Sequence, residues 1–189
     1  LETLQALYDA LPSAVAEDHG IYPGAPLTAE EAAAEHTPDA TDPTMPMGAY
    51  GATKLAVEHH LRIEETQYGL PTRTLRLSNP YGEWQQPFGV QGVIAVFAHR
   101  ALRGLPVDVW GDGSVVRDFI YAADIGRAFV AAMQHEGEAR VFNVGGGSGH
   151  SVNDIVHTLE RLLGHAVERR VHPSRPFDPP VNVLDIHRA

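Results

Sequence analysis

Residues 48–82 read GAYGATKLAVEHHLRIEETQYGLPTRTLRLSNPYG, and this stretch decides the fold class. From 51 to 68 the apolar residues recur at helical spacing, Gly69 supplies a stop, and Pro71 forbids continuation. TRTLRLS (72–78) then alternates and is rich in strand formers, which predicts a β-strand, and the NPYG that follows is turn chemistry. A long amphipathic helix feeding a strand is the repeating unit of an α/β fold with a largely parallel sheet.

The same alternation runs outward from this stretch. Upstream, LETLQALYDAL (1–11) has helical periodicity stopped by Pro12, and residues 22–48 read as a surface loop with one turn of helix near TAEEAAAEH. Downstream, GVIAVFAHRALRG predicts a helix closed by Gly104, VDVW a short strand broken by GDG, and RDFIY another strand. Asp124 is expected to cap a helix running to about Gln134. RVFNVGG reads as a strand; SVNDIVHTLERLLG opens with Ser151 and Asp154 at capping-box spacing and closes at Gly164. AVERRVH and VNVLDI complete the set as extended segments.

Composition narrows the function. With 43% hydrophobic and 20% charged residues among 189, the chain can bury a core. A net charge of −10 argues against nucleic acid, which selects a basic face. The lack of cysteine removes disulfides, thiolate catalysis and thiolate metal sites. No apolar run approaches membrane-spanning length, and the first residues lack the basic start of a signal peptide, so a cytoplasmic enzyme or binding domain is expected. No metal site is expected either, since EHH at 58–60 does not put two ligands on one helical face.

Tyr50 and Lys54 stand at i and i+4, on one helical face. An ammonium beside a phenol favours the phenolate, which suits a general acid–base pair, but alone the spacing is weak evidence and more often marks two solvated side chains.

The wider context distinguishes these. YGATKLAVEHHL, RLSNPYG, VWGDGSVVRDFIYAADIGRAF, VFNVGGGSGHSV and RPFDPPVNVLDIHRA, over residues 48–189, resemble in order the extended short-chain dehydrogenase/reductase family, in particular its NAD-dependent epimerase/dehydratase group, which includes UDP-glucose 4-epimerase. The resemblance implies the C-terminal part of a Rossmann-like parallel sheet plus a smaller α/β substrate-binding domain. Residues 1–80 would form the second half of the Rossmann-like domain. Residues 81–189 would be mostly sugar-nucleotide binding, with some segments returning to the sheet. It implies NAD as cofactor, a nucleotide sugar (a UDP-hexose) as substrate, and a homodimer built on a helix pair that includes the Tyr–Lys helix.

Roles follow residue by residue from the same resemblance. Tyr50 takes a sugar hydroxyl proton; Lys54 holds the nicotinamide ribose and favours the phenolate; Pro80 lies near the nicotinamide. Asn79 contacts the sugar nucleotide near its phosphates, Arg117 pairs with the pyrophosphate, and Arg175 with Asp178 binds nucleotide phosphate and ribose. Gln91 and Trp110 line the pocket for base and sugar. Other readings stand beside these: Arg117 paired with Asp118 or Asp112, Arg175 with Asp178, and Asn79 capping a turn. VGGGSG lacks the spacing of a dinucleotide loop and reads as a turn before the last helix.

Two departures from the family pattern matter. The βαβ unit with its glycine-rich fingerprint, which opens roughly the first hundred residues of a complete family member, is not in this sequence, so these residues alone are not expected to catalyse. Where the family carries a serine or threonine four residues before a tyrosine, alignment on Tyr22 puts Asp18, preceded by Glu17; either Asp18 holds that position or the segment aligns differently. Epimerisation is preferred over dehydration, because the Asp–Glu pair of dehydratases is not reproduced. A non-catalytic sugar-nucleotide binder is the alternative from a different class.

Overall fold

The computed structural model describes residues 49–89, 91–175 and 179–189. The helix and loop expected within residues 1–48, together with Glu17, Asp18 and Tyr22, lie outside these residues, as does Asp178.

Helix α1 (Ala49–Tyr68) has one half-buried face, formed by Gly51, Leu55, Glu58, Leu61, Glu64 and Glu65, and no fully buried residue. It ends where Gly69 turns left-handed (φ 67°) and its N–H reaches back to the Glu65 carbonyl at 3.0 Å. Ion pairs fasten it to the sheet: Glu58 receives Arg76 in bidentate fashion at 2.9 and 2.8 Å, and Glu65 receives Arg140 at 2.7 Å.

Strand β1 (Thr74–Leu77) pairs in parallel with β5 (Val141–Val144). The chain then changes partner. NPY, expected as a turn, is strand β2 (Asn79–Tyr81), parallel to β4 (Val116–Tyr121), with Asn79 opposite Phe119 and Tyr81 opposite Tyr121. Tertiary pairing overrides the turn preference of Asn and Pro, and the Asn79 amide contributes by donating to the Asp118 carbonyl at 2.8 Å.

β4 also pairs antiparallel with β6 (Gly149–Ser151) and in parallel with β8 (Val181–Asn182). Its period-2 alternation serves two cores. Ile120 joins Phe142 and Val144 against Leu75, Ile125 and Ala128. Phe119 and Tyr121, from the other face, pack on the larger cluster, built by α2 (Val93–Leu102), α4 (Val152–Leu163) and β3 (Val107–Trp110). There Ile94, Phe97, Ala98 and Ala101 face Ile155, Val156 and Leu159 at helical spacing. β7 (Arg169–His172) pairs in parallel with β3 at the far side of this lobe.

The capping box of α4 forms as expected: Ser151 Oγ accepts from the Asp154 N–H at 3.0 Å, and Asp154 accepts from the Ser151 N–H at 2.7 Å. The Asp124 cap does not form. Helix α3 (Ala122–Gln134) starts directly after β4 ends, so Tyr121 takes the N-cap position without a side-chain bond, and Asp124 lies inside the first turn, paired with Arg127.

Two outcomes check this packing in the full-length protein. A Cβ on Gly146 would meet the Phe119 carbonyl oxygen at 2.6 Å, whereas one on Gly126, within α3, meets nothing within 4 Å. Gly146→Ala is expected to destabilise by about 1–3 kcal/mol, and Gly126→Ala to stabilise by about 0.5–1 kcal/mol, both read by urea unfolding. Burial pushes the Tyr81 phenol up to about 12, with Tyr121 adding to the shift. The fold therefore favours neutral Tyr81. That advantage is whole below pH 10 and drains away as pH rises toward 12. The alkaline loss of stability should shrink in Tyr81→Phe.

Candidate active site

Tyr50 and Lys54 occupy the first two turns of α1, with the Lys54 ammonium 5.4 Å from the centroid of the Tyr50 ring. Tyr50 is 77% exposed, so its hydroxyl is open to a ligand. The ion pairs above orient the helix. Glu65, near its end, meets Arg140 just ahead of β5; Glu58, two turns earlier, meets Arg76 near the end of β1. α1 therefore runs antiparallel to β1, and Tyr50, eight residues before Glu58 or about 12 Å along the axis, projects beyond the carboxyl ends of β1 and β5. That edge is where open α/β sheets bind ligands.

At the same edge lie Asn79 and Pro80, where β1 passes into β2, and the glycine turn that follows β5. Asp118 holds these together. Its carboxylate is fully buried; one oxygen accepts the Gly146 N–H at 2.7 Å and the other the Leu184 N–H at 3.4 Å. Burial pushes the Asp118 carboxyl above the usual carboxylate value, and the N–H groups of Gly146 and Leu184 counter that shift. A side chain on Gly145 would run into the Asp118 carboxylate, and one on Gly146 into strand β4. The VGGGSG turn is thus glycine-rich because it packs on β4. Arg117, next along, donates to the Val116 carbonyl at 2.7 Å and to the Pro179 carbonyl at 2.8 Å, joining β4 to the chain just beyond RPFD.

Trp110, at the end of β3, stands apart from this group and meets Arg175. The guanidinium carbon lies 4.0 Å from the centroid of the indole, within cation–π range. The indole also stacks on His172, centroids 5.0 Å apart and planes 21° off parallel. His172 Nε2 is 2.8 Å from Asp108 Oδ1; a carboxylate only accepts, so Nε2 carries the proton. His172, then Arg100 and Arg170, hold the Asp108 carboxyl below its ordinary value. Gln91 is exposed ahead of α2.

The structure therefore gathers the sequence candidates into three groups: Tyr50 with Lys54, Asn79 with the strand that carries Arg117, and Trp110 with Arg175. Sequence reasoning missed Asp118 and the Asp108–His172 pair. Asp118 left a signal, a carboxylate at an inward position of an apolar strand. The pairing of Asp108 with His172 depends on the β3–β7 register, which no local pattern displays.

A model of the NAD dependent epimerase/dehydratase family matches residues 21–145. The dTDP-4-dehydro-6-deoxyglucose reductase of Escherichia coli is 34% identical over 122 residues, covering 65% of this chain and 39% of the relative. The crystal structure of UDP-glucose 4-epimerase with UDP-glucose from Thermotoga maritima has 39% identity and a TM-score of 0.72, over 77% of this chain and 47% of that one. The UDP-glucose 4-epimerase of Thermus thermophilus, in complex with NAD, has 36% identity and a TM-score of 0.73, over 80% of this chain and 50% of that one. The chain spans about half the length of these relatives or less, and it shares their Rossmann-like α/β arrangement. On this match, which covers most of its length, the chain belongs to the NAD dependent epimerase/dehydratase family.

Proposed function

We propose that the protein containing this chain is an NAD-dependent epimerase of nucleotide-linked hexoses, of the UDP-hexose 4-epimerase type. The observation that carries the proposal is the Tyr50–Lys54 pair at the exposed head of α1, beyond the carboxyl ends of the parallel strands. Relatives named as UDP-glucose 4-epimerases support the substrate class.

The donor set suits the cofactor: a lysine ammonium offers hydrogen bonds to a ribose diol, and a phenol stands beside it. NAD, when bound, supplies the hydride acceptor for transient oxidation of a hexose carbon. Tyr50 takes the proton of that carbon's hydroxyl and returns it when the opposite epimer forms. Lys54 holds the ribose and stabilises the phenolate. Asn79 and Pro80 flank the sugar and the nicotinamide, Arg117 binds the pyrophosphate, and Arg175 with Asp178 takes the nucleotide phosphate and ribose. Gln91 and Trp110 line the base and sugar pocket. The glycine-rich grip on the dinucleotide is not among these 189 residues, so activity belongs to the longer protein and not to this chain alone. A cytoplasmic homodimer is part of the proposal. α1 buries no residue and exposes Val57, Ile63 and Tyr68, which suits a helix-pair interface. The reductase relative favours a second reading, net reduction of a keto-sugar at the same pair.

Two variants of the full-length protein test this. Tyr50→Phe should lower turnover of a UDP-hexose by about a hundredfold or more while NAD remains bound; wild-type turnover would remove Tyr50 from the chemistry. Arg117→Ala should weaken nucleotide-sugar binding by about 1.5–3 kcal/mol in calorimetry, the value of a charge-assisted contact. Unchanged affinity would leave Arg117 with a structural role only.

A further inference from the structure

Glu58 stands one turn beyond Lys54 on α1, four residues on, so the two share a helical face. Helical side chains lean toward the N-terminus, which carries the Glu58 carboxylate back over the turn that bears Lys54. A lysine and a glutamate at that spacing commonly meet in an ion pair. Here the Lys54 ammonium lies instead by the Tyr50 ring, 5.4 Å from its centroid, one turn in the other direction. Glu58 is engaged from the sheet. Arg76 of β1 donates Nε to one carboxylate oxygen at 2.9 Å and Nη2 to the other at 2.8 Å. Only 24% of the Arg76 side chain and 21% of the Glu58 side chain are exposed, so water and salt screen this two-point contact weakly. The hydrogen bond to Glu58 holds the Arg76 guanidinium above its ordinary value, against the effect of burial. The backbone of Arg76 is fixed as well, since β1 pairs with β5 along its length, Arg76 opposite Asn143.

We propose that Arg76 is a positioning residue for Lys54: by occupying the Glu58 carboxylate, it keeps the ammonium on the side of Tyr50 and the nicotinamide ribose. This rests on the assignment of Lys54 to the NAD ribose above. The chemistry is a competition between two cations for one carboxylate. Arg76 brings a planar fork from a fixed strand, whereas Lys54 is a point charge on a flexible stem. The fork wins, and the stem turns the other way. Without Arg76, Glu58 is a half-buried carboxylate whose guanidinium partner is gone, and Lys54 is a cation within its reach. The neutral hydroxyls of a ribose then compete with a full negative charge for the same ammonium. Arg76 and Glu58 act on Lys54 and touch neither cofactor nor sugar.

The two ends of the bridge should therefore behave differently, which a purely structural bridge does not predict. The probe is NAD, titrated by calorimetry into the full-length protein stripped of its cofactor. Arg76→Met should bind NAD about two- to fivefold more weakly than wild type, the strength of the ion pair that the ribose must break. Glu58→Gln loses the same bridge but leaves no charge to draw Lys54 away, so its NAD affinity should stay within about twofold of wild type. The double variant Glu58→Gln/Arg76→Met should recover the affinity that Arg76→Met loses. In a Lys54→Met background, Arg76→Met should weaken NAD no further, whereas independent effects would add. Urea unfolding of each variant separates loss of stability from loss of affinity. If Arg76→Met and Glu58→Gln weaken NAD alike, if Arg76→Met leaves affinity unchanged, or if its effect persists beside Lys54→Met, the positioning role is overturned and the nucleotide-sugar reading stands. If Lys54→Met itself binds NAD as tightly as wild type, the ribose assignment falls and takes this inference with it.

Discussion

The carboxylate of Asp118 is the constraint on which the rest of the site depends. A buried carboxylate is costly to ionise, and here its oxygens receive main-chain N–H groups from Gly146 and Leu184. Those two donors belong to segments far apart in sequence, the turn after β5 and the chain after β8. One side chain therefore ties the carboxyl edge of the β1–β5 pair to the C-terminal segment. The same residue's carbonyl accepts the Asn79 amide, and the next residue back is Arg117, which holds the Pro179 carbonyl. Asn79, Arg117 and the segment beyond RPFD are positioned relative to one another through a single strand.

That strand also explains how two cores become one molecule. β4 pairs with β2, β6 and β8, and its alternate residues enter different clusters, Ile120 on one face, Phe119 and Tyr121 on the other. Helix α1 is held differently, by ion pairs from Glu58 and Glu65 and a half-buried stripe without a fully buried residue. Tyr50 and Lys54 thus sit on an element that, among the described residues, is held by ion pairs and a half-buried stripe, while Trp110 sits on the densely packed lobe of α2, α4, β3 and β7.

Much of this was legible in the sequence, for physical reasons that can be named. Helical periodicity with glycine stops located α1, α2 and α4, and Ser151 with Asp154 announced the capping box because that signal is wholly local. Local signals failed where tertiary contacts decide. Asn79, Pro80 and Tyr81 carry turn preferences yet form a strand, since β4 offers a partner. Asp124 has a capping side chain but falls within the first turn, because the helix follows β4 without a loop. The motif residues could be named from resemblance, but not their grouping. That Arg175 rests on Trp110, and Trp110 on His172, follows from the β3–β7 register and the left-handed turn at Gly111.

The most direct test is a crystal structure of the full-length protein with NAD and an unreactive UDP-hexose analogue. The account predicts the Tyr50 hydroxyl within about 2.6–3.2 Å of the hexose hydroxyl at the carbon to be oxidised, with the Lys54 ammonium on the nicotinamide ribose. A hexose bound elsewhere on the sheet, with Tyr50 still facing solvent, would contradict it.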